Sequence, residues 1–259
     1  MTDSHCHLAD AAFDADLPDV VTRAREAGLT HVLTILAAGD DAEGSRADRL
    51  AALWDGVRFG VGVHPHHAHE CPAPGQAAAR VEAAFASNPR VRAVGEIGLD
   101  YHYDFSPREV QQAVFAEQVE LARRMRRPVI IHTREAEDDT FEILARAGSG
   151  EVSGVFHCFT GDVPMAKRAL DLGFSLSFAG IVTFPRGQNV RDAAATVPDD
   201  RLLIETDSPY LAPVPYRGKR NEPAWVARVA ETLAAVRGSN TQAIEAITTA
   251  NLLRFCRED

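Results

Sequence analysis

The chain has no long apolar run. None of its hydrophobic stretches approaches the roughly 18 to 20 residues a helix needs to cross a bilayer, which excludes a protein built on membrane-spanning helices. It opens Met1-Thr2-Asp3-Ser4-His5-Cys6-His7, without the basic segment and apolar stretch of a secretory signal, so the expected location is cytoplasmic. Cysteine is scarce. Cys6, Cys71, Cys158 and Cys256 lie far apart and form no CxxC pair, which points to free thiols in a reducing compartment. Positive charge is also in deficit. A formal net charge of -10 is unlike a protein that coats duplex DNA through a broad basic face, although a local pocket could still grip a phosphate or a chain end. No repeat, linker or low-complexity tract marks a second domain, and nothing in the pattern signals an obligate protein partner.

What the chain has is alternation. With 46% apolar residues in 259, it can bury a sizeable core. Short strands are predicted at Ser4 to His7, Thr30 to Ala37, Val57 to Val63, Val91 to Glu96, Pro128 to His132, Val155 to Phe159, Phe174 to Phe178 and Leu202 to Thr206. Helical stretches separate them. Gly28, Gly148 and Gly173 read as helix stops, Ser106-Pro107 and Asp162-Val163-Pro164 as helix starts, and the tail as two amphipathic helices. Eight such units predict a single-domain α/β fold spanning residues 1–259, a (β/α)8 TIM-type barrel, ahead of an open doubly wound sheet.

The polar residues favour the barrel. His5 and His7, His64, Glu96, His132, His157 and Asp207 each stand at the carboxyl end of a predicted strand, the face where barrels place their active sites. Any one of them has an ordinary explanation, as a core histidine, an arginine partner or a turn cap. Their joint occurrence at different strand ends makes that explanation poor. Four imidazoles and two carboxylates (His5, His7, Glu96, His132, His157, Asp207) suit borderline divalent metals. On an extended segment His5 and His7 share one face and Cys6 takes the other, so Cys6 reads as packing, and Cys158 beside His157 likewise. Gly95 and Gly98 around Glu96 are expected to leave room for a ligand.

His64 is expected to point into the mouth and contact a substrate phosphate or a metal-bound water. His66, His67 and His69 are expected to be solvated, His31 to lie toward the opposite face, and His102 stays ambiguous. The loop Tyr216-Arg217-Gly218-Lys219-Arg220 offers three cations around a glycine for a phosphate, with Arg217 and Lys219 as the substrate-binding candidates. Glu96 is placed to bridge two metals, with His5, His7 and Asp207 on one and His132 and His157 on the other. Asp207 could take the proton from the nucleophilic water. That is metal-assisted hydrolysis, with Asp207, Glu96 and His64 as catalytic candidates.

These residues fall within longer motifs: Asp3-Ser4-His5-Cys6-His7-Leu8, Gly62-Val63-His64-Pro65-His66, Gly95-Glu96-Ile97-Gly98-Leu99-Asp100-Tyr101, Ile131-His132-Thr133-Arg134, His157-Cys158-Phe159-Thr160-Gly161, Glu205-Thr206-Asp207-Ser208-Pro209 and Arg217-Gly218-Lys219-Arg220-Asn221-Glu222-Pro223. In this order they resemble the TatD-type metal-dependent deoxyribonucleases, within the amidohydrolase-like barrels. The resemblance runs nearly end to end. It implies a TIM-type barrel, two divalent ions (Zn, Mn, Mg, Co or Ni) on the six ligands, and DNA as substrate, hydrolysed from the 3′ end of single strands or frayed ends. Some relatives act on other bonds, such as the ester of a D-aminoacyl-tRNA. Two positions depart from the pattern: Ala9 and Glu135 stand where aspartate is common.

Overall fold

A computed structural model describes residues 1–257; residues 258 and 259 of the expected domain lie outside the described residues. Eight parallel strands pair strictly in chain order. They are β1 (Thr2–Cys6), β2 (His31–Ala37), β3 (Val57–Gly62), β4 (Val91–Asp100), β5 (Val129–Arg134), β6 (Gly154–Phe156), β7 (Ser175–Phe178) and β8 (Leu202–Ile204). Between them run α1 (Leu17–Glu26), α2 (Asp41–Leu53), α3 (Gln76–Ser87), α4 (Arg108–Met125), α5 (Glu137–Gly148), α6 (Val163–Asp171) and α7 (Gln188–Thr196), with α8 (Val226–Val236) and α9 (Thr241–Cys256) at the end. This is the expected (β/α)8 TIM-type barrel. It closes where Asp207 N donates to the His5 carbonyl (2.9 Å) and His7 N to the Ser208 carbonyl (2.7 Å). No helix among the described residues is long and apolar enough to cross a membrane.

Two apolar layers follow from strand alternation. The larger lies between the barrel wall and the helices. The smaller joins Leu33, Ile35, Ala93, Ile130, Val155 and Leu203 with Leu252 and Cys256 of α9. Asn251 of α9 donates to the carbonyl of Leu202, the first residue of β8 (2.7 Å), so α9 plugs the amino-terminal end of the barrel. Two residues beyond Ile130, Val155 and Leu203 come His132, His157 and Glu205. The column that fills the barrel floor therefore becomes polar at the opposite end.

Several local expectations shift. β4 continues through Asp100, because Ile97 to Asp100 keep pairing with Ile131 to Arg134. β6 stops at Phe156 and β8 at Ile204, where positive φ values at Cys158 (43°) and Asp207 (56°) turn the chain. Ser106 is no helix cap. Pro107 holds that position, and the buried Ser106 hydroxyl donates to the His66 carbonyl (3.0 Å) and accepts from His69 N (3.1 Å). Gly148 lies inside α5, and Ser149 makes the left-handed turn. Asp162 does cap α6, accepting from Met165 N at 3.0 Å.

Candidate metal centre

The bulge in β4 is what turns Glu96 into the barrel. Ala93 packs inward, so strict alternation would send residue 95 inward and 96 out. The β4–β5 register slips between Val94 and Ile97, and from there Glu96, Gly98 and Asp100 share the inner side. The flanking glycines serve the neighbouring strand, not a ligand as expected. A Cβ on Gly98 would lie 1.9 Å from the His132 carbonyl oxygen, and one on Gly95 2.6 Å from Ile130 Cβ.

Glu96 then has imidazoles on both sides. Its Oε2 lies 3.4 Å from His5 Nε2. Its Oε1 lies 2.7 Å from His157 Nε2, 2.8 Å from His132 Nδ1 and 3.4 Å from His64 Nε2. On the first side, Asp207 Oδ1 lies 3.4 Å from His7 Nε2 and 3.6 Å from His5 Nε2, and the two Nε2 atoms are 3.3 Å apart. All six expected ligands and His64 thus share one cluster at the carboxyl ends of the strands.

Burial alone would raise the Glu96 carboxyl, but His157, His64 and His132 overcome it and hold the group well below the usual carboxylate range. The same contest, won by His7, His5 and His157, lowers Asp207. His157 goes the other way: against burial, Glu96 and Glu205 push it well above an ordinary imidazole. His64 is pushed down to about 4 by burial, so it is neutral at pH 7. Its Nδ1 accepts from His66 N (3.1 Å), which leaves its proton on Nε2, the nitrogen that faces the cluster. A donor there fits an anionic oxygen better than it fits a cation.

Reading single positions for strand ends missed three carboxylates. Asp100 Oδ2 lies 3.2 Å from His132 Nε2 and 2.9 Å from His66 Nε2, bracing the ring whose other nitrogen faces Glu96. Glu205, fully buried, accepts from Cys158 N at 2.7 Å; it comes within 3.3 Å of His157 Nδ1, off the hydrogen-bonding direction. Asp3, also fully buried, accepts from Thr206 N (2.9 Å) and Thr206 Oγ1 (2.5 Å), and burial pushes its carboxyl up to about 8. The period-two step from Leu203 to Glu205 to Asp207 was the available signal for the second.

Other expectations divide. His66 is a correction: the turn from Pro65 folds it over the mouth, half-buried against Asp100, instead of leaving it solvated. His67 and His69 are exposed, as expected. His31 opens β2 at the far end, and His102 faces solvent beside Glu135. Cys6 packs away from the cluster, its Sγ 3.5 Å from Thr34 Oγ1. Arg220, expected as a third phosphate cation, is held by Asp16 (2.7 Å) and the Ala12 carbonyl (2.7 Å). Arg217 and Lys219 stay exposed, Arg217 with its guanidinium carbon 3.8 Å from the Phe184 ring centre.

The donors fit divalent metal. Nitrogens and carboxylate oxygens converge without a thiolate. His5, His7 and Glu96 bring ligand atoms within 4.8 Å of one another. Buried His5 Nδ1, His157 Nδ1 and Glu205 Oε2 have no hydrogen-bond partner among the described residues.

Residues 2–257 match the model of the TatD related DNase family. The chain belongs to that family. A metal-dependent hydrolase named YcfH, from Escherichia coli K12, is 41% identical over all of this chain and 96% of its own length. A Klebsiella pneumoniae protein named 3'-5' ssDNA/RNA exonuclease TatD is 36% identical, covering 97% of this chain and 96% of its own. Among solved structures, the TatD homologue YJJV of Escherichia coli superposes with a TM-score of 0.89 at 30% identity, over 98% of this chain and 97% of that one. This TatD-family chain is a metal-dependent hydrolase.

Proposed function

We propose that this TatD-family hydrolase cleaves phosphodiester bonds of DNA, removing nucleotides from the 3′ end of single strands or frayed ends. The observation that carries the reading is the Glu96 carboxylate with imidazoles on both sides, an arrangement suited to two divalent ions (Zn, Mn, Mg, Co or Ni) held by His5, His7, Glu96, His132, His157 and Asp207. Bound there, such ions would polarise a phosphoryl oxygen and acidify water.

The chain's own groups would do the rest. Asp207, ionised at neutral pH, accepts the proton of the attacking water. The new P–O bond forms as the P–O3′ bond breaks, and the leaving oxygen takes its proton from solvent. Neutral His64 donates Nε2–H to a phosphate oxygen. Arg217 and Lys219 attract the neighbouring phosphates. An acidic protein suits a chain end better than the length of a duplex.

The test is hydrolysis of end-labelled single-stranded DNA by purified protein with each metal and with EDTA, beside circular duplex DNA and a D-aminoacyl-tRNA. Metal-dependent stepwise shortening of the linear strand is expected. Equal cutting of the circle would remove the preference for ends. Hydrolysis of the aminoacyl ester alone would replace DNA as the substrate.

A further inference from the structure

The loop between β4 and α4 raises two aromatic rings beside the cluster. Tyr103 is 49% and Phe105 61% exposed, the latter more than any other large apolar side chain among the described residues. The rings are parallel, with centroids 5.3 Å apart and planes 6° apart. Arg134 sets its guanidinium carbon 4.7 Å from the Tyr103 ring centre. His66 stands edge-on to Phe105 (4.8 Å) and Tyr103 (5.5 Å), while its Nε2 touches Asp100, the carboxylate behind His132. His66 and Asp100 thus link the rings to His132, which lines the centre.

The loop is also braced. Asp100 Oδ1 accepts from His102 N and Tyr103 N, both at 3.0 Å. Arg108 spans Asp104 (3.1 Å) and the Tyr101 carbonyl (3.3 Å), and the Tyr101 hydroxyl donates to Asp139 at 2.6 Å. Holding a phenylalanine in water on a fixed loop forgoes the stabilisation of burying it.

We propose that Tyr103 and Phe105 form a stacking platform for a nucleobase of single-stranded nucleic acid, on the nucleotide adjoining the phosphate held at the centre. The inference rests on the nucleolytic reading above and names where that substrate is gripped. Flat apolar rings beside a guanidinium match the face of any base and the negative backbone near it, without reading sequence. A base inside a duplex has both faces covered, so only an unstacked end can use the platform.

The experiment uses the metal-loaded protein and an oligonucleotide carrying 2-aminopurine near its 3′ end, with phosphorothioate linkages for binding and phosphodiester linkages for turnover. Stacking on the wild-type protein should quench the fluorophore. The Tyr103→Ala/Phe105→Ala variant should lose the quench and raise KM about tenfold or more, with kcat within about threefold. Phe105→Trp should retain both properties. An abasic nucleotide at the same place should raise the wild-type KM equally and leave the double variant unaffected. If the wild type cuts the strand while the double variant and the abasic strand behave like it, the platform is refuted and the nucleolytic reading stands. If the wild type neither binds nor cuts single-stranded DNA, that reading falls and the platform with it. Sedimentation showing a dimer that Phe105→Ala dissociates, with substrate kinetics unchanged, would assign the rings to a second copy and overturn the proposal.

Discussion

Replacing Glu96 by glutamine removes a charge and keeps a shape. Three of its imidazole contacts fall on one oxygen and one on the other, so an amide, whose nitrogen cannot accept, loses one side of the arrangement altogether. Glu96→Gln should lower hydrolysis about 100-fold or more and reduce bound metal, read by elemental analysis, while the far-ultraviolet dichroism stays unchanged. Asp3 supports a different prediction. Its carboxyl rises from the ordinary range to about 8 on folding, so between about pH 4 and 8 the folded chain binds the extra proton. That contribution is therefore fully present in acid and lost as pH rises toward 8. In EDTA-treated protein, Asp3→Asn should gain thermal stability relative to wild type as pH goes from 5 to 8, by about 2–4 °C for each kcal/mol recovered. A pH-independent gap between the two would show Asp3 to be ionised throughout. The sequence pattern picked out the histidines because imidazole is conspicuous after an apolar strand. Asp3 and Asp100 escaped because they fall outside the predicted strands, and Glu205 because it falls inside one, where a carboxylate's role is not visible until its burial and facing are known.

At the scale of elements, the strands and helices were legible from alternation and from glycine and proline stops, but the ends of β4, β6 and β8 were not. Those ends depend on a register slip and on two left-handed residues, Cys158 and Asp207, that no local preference favours. The slip in β4 is the more consequential, since a strand without it would point Glu96 at the helices. Gly98 belongs to the same device, with φ of 144° and the His132 carbonyl where its side chain would be. Gly98→Ala should cost about 3 kcal/mol or more in urea unfolding, or prevent folding, because both the backbone angle and the neighbouring strand must move. A loss below 1 kcal/mol would mean that β4 and β5 can separate cheaply.

Over the whole molecule, the net charge of -10 stands against the polyanionic substrate proposed for the site. On the proposed reading, in which Arg217 and Lys219 are the cations that meet phosphate, few counterions would be released on binding. The slope of log kcat/KM against log salt on single-stranded DNA should be about -1 to -2. Neutralising both residues should flatten it and raise KM, with metal content unchanged. A slope near that of a protein making many phosphate contacts would reveal a basic track elsewhere on the surface.

The barrel is stitched shut at the centre itself. Asp207 N bonds the His5 carbonyl, His7 N the Ser208 carbonyl, and Asp3 takes two hydrogen bonds from Thr206. The ligands nearest the start of the chain thus wait for those some two hundred residues later. During synthesis, a ribosome-bound fragment ending before Thr206 carries five of the six candidate ligands but lacks the seam that aligns the first pair. The first pair of ligands is therefore aligned only once Thr206 to Ser208 have emerged to join β1.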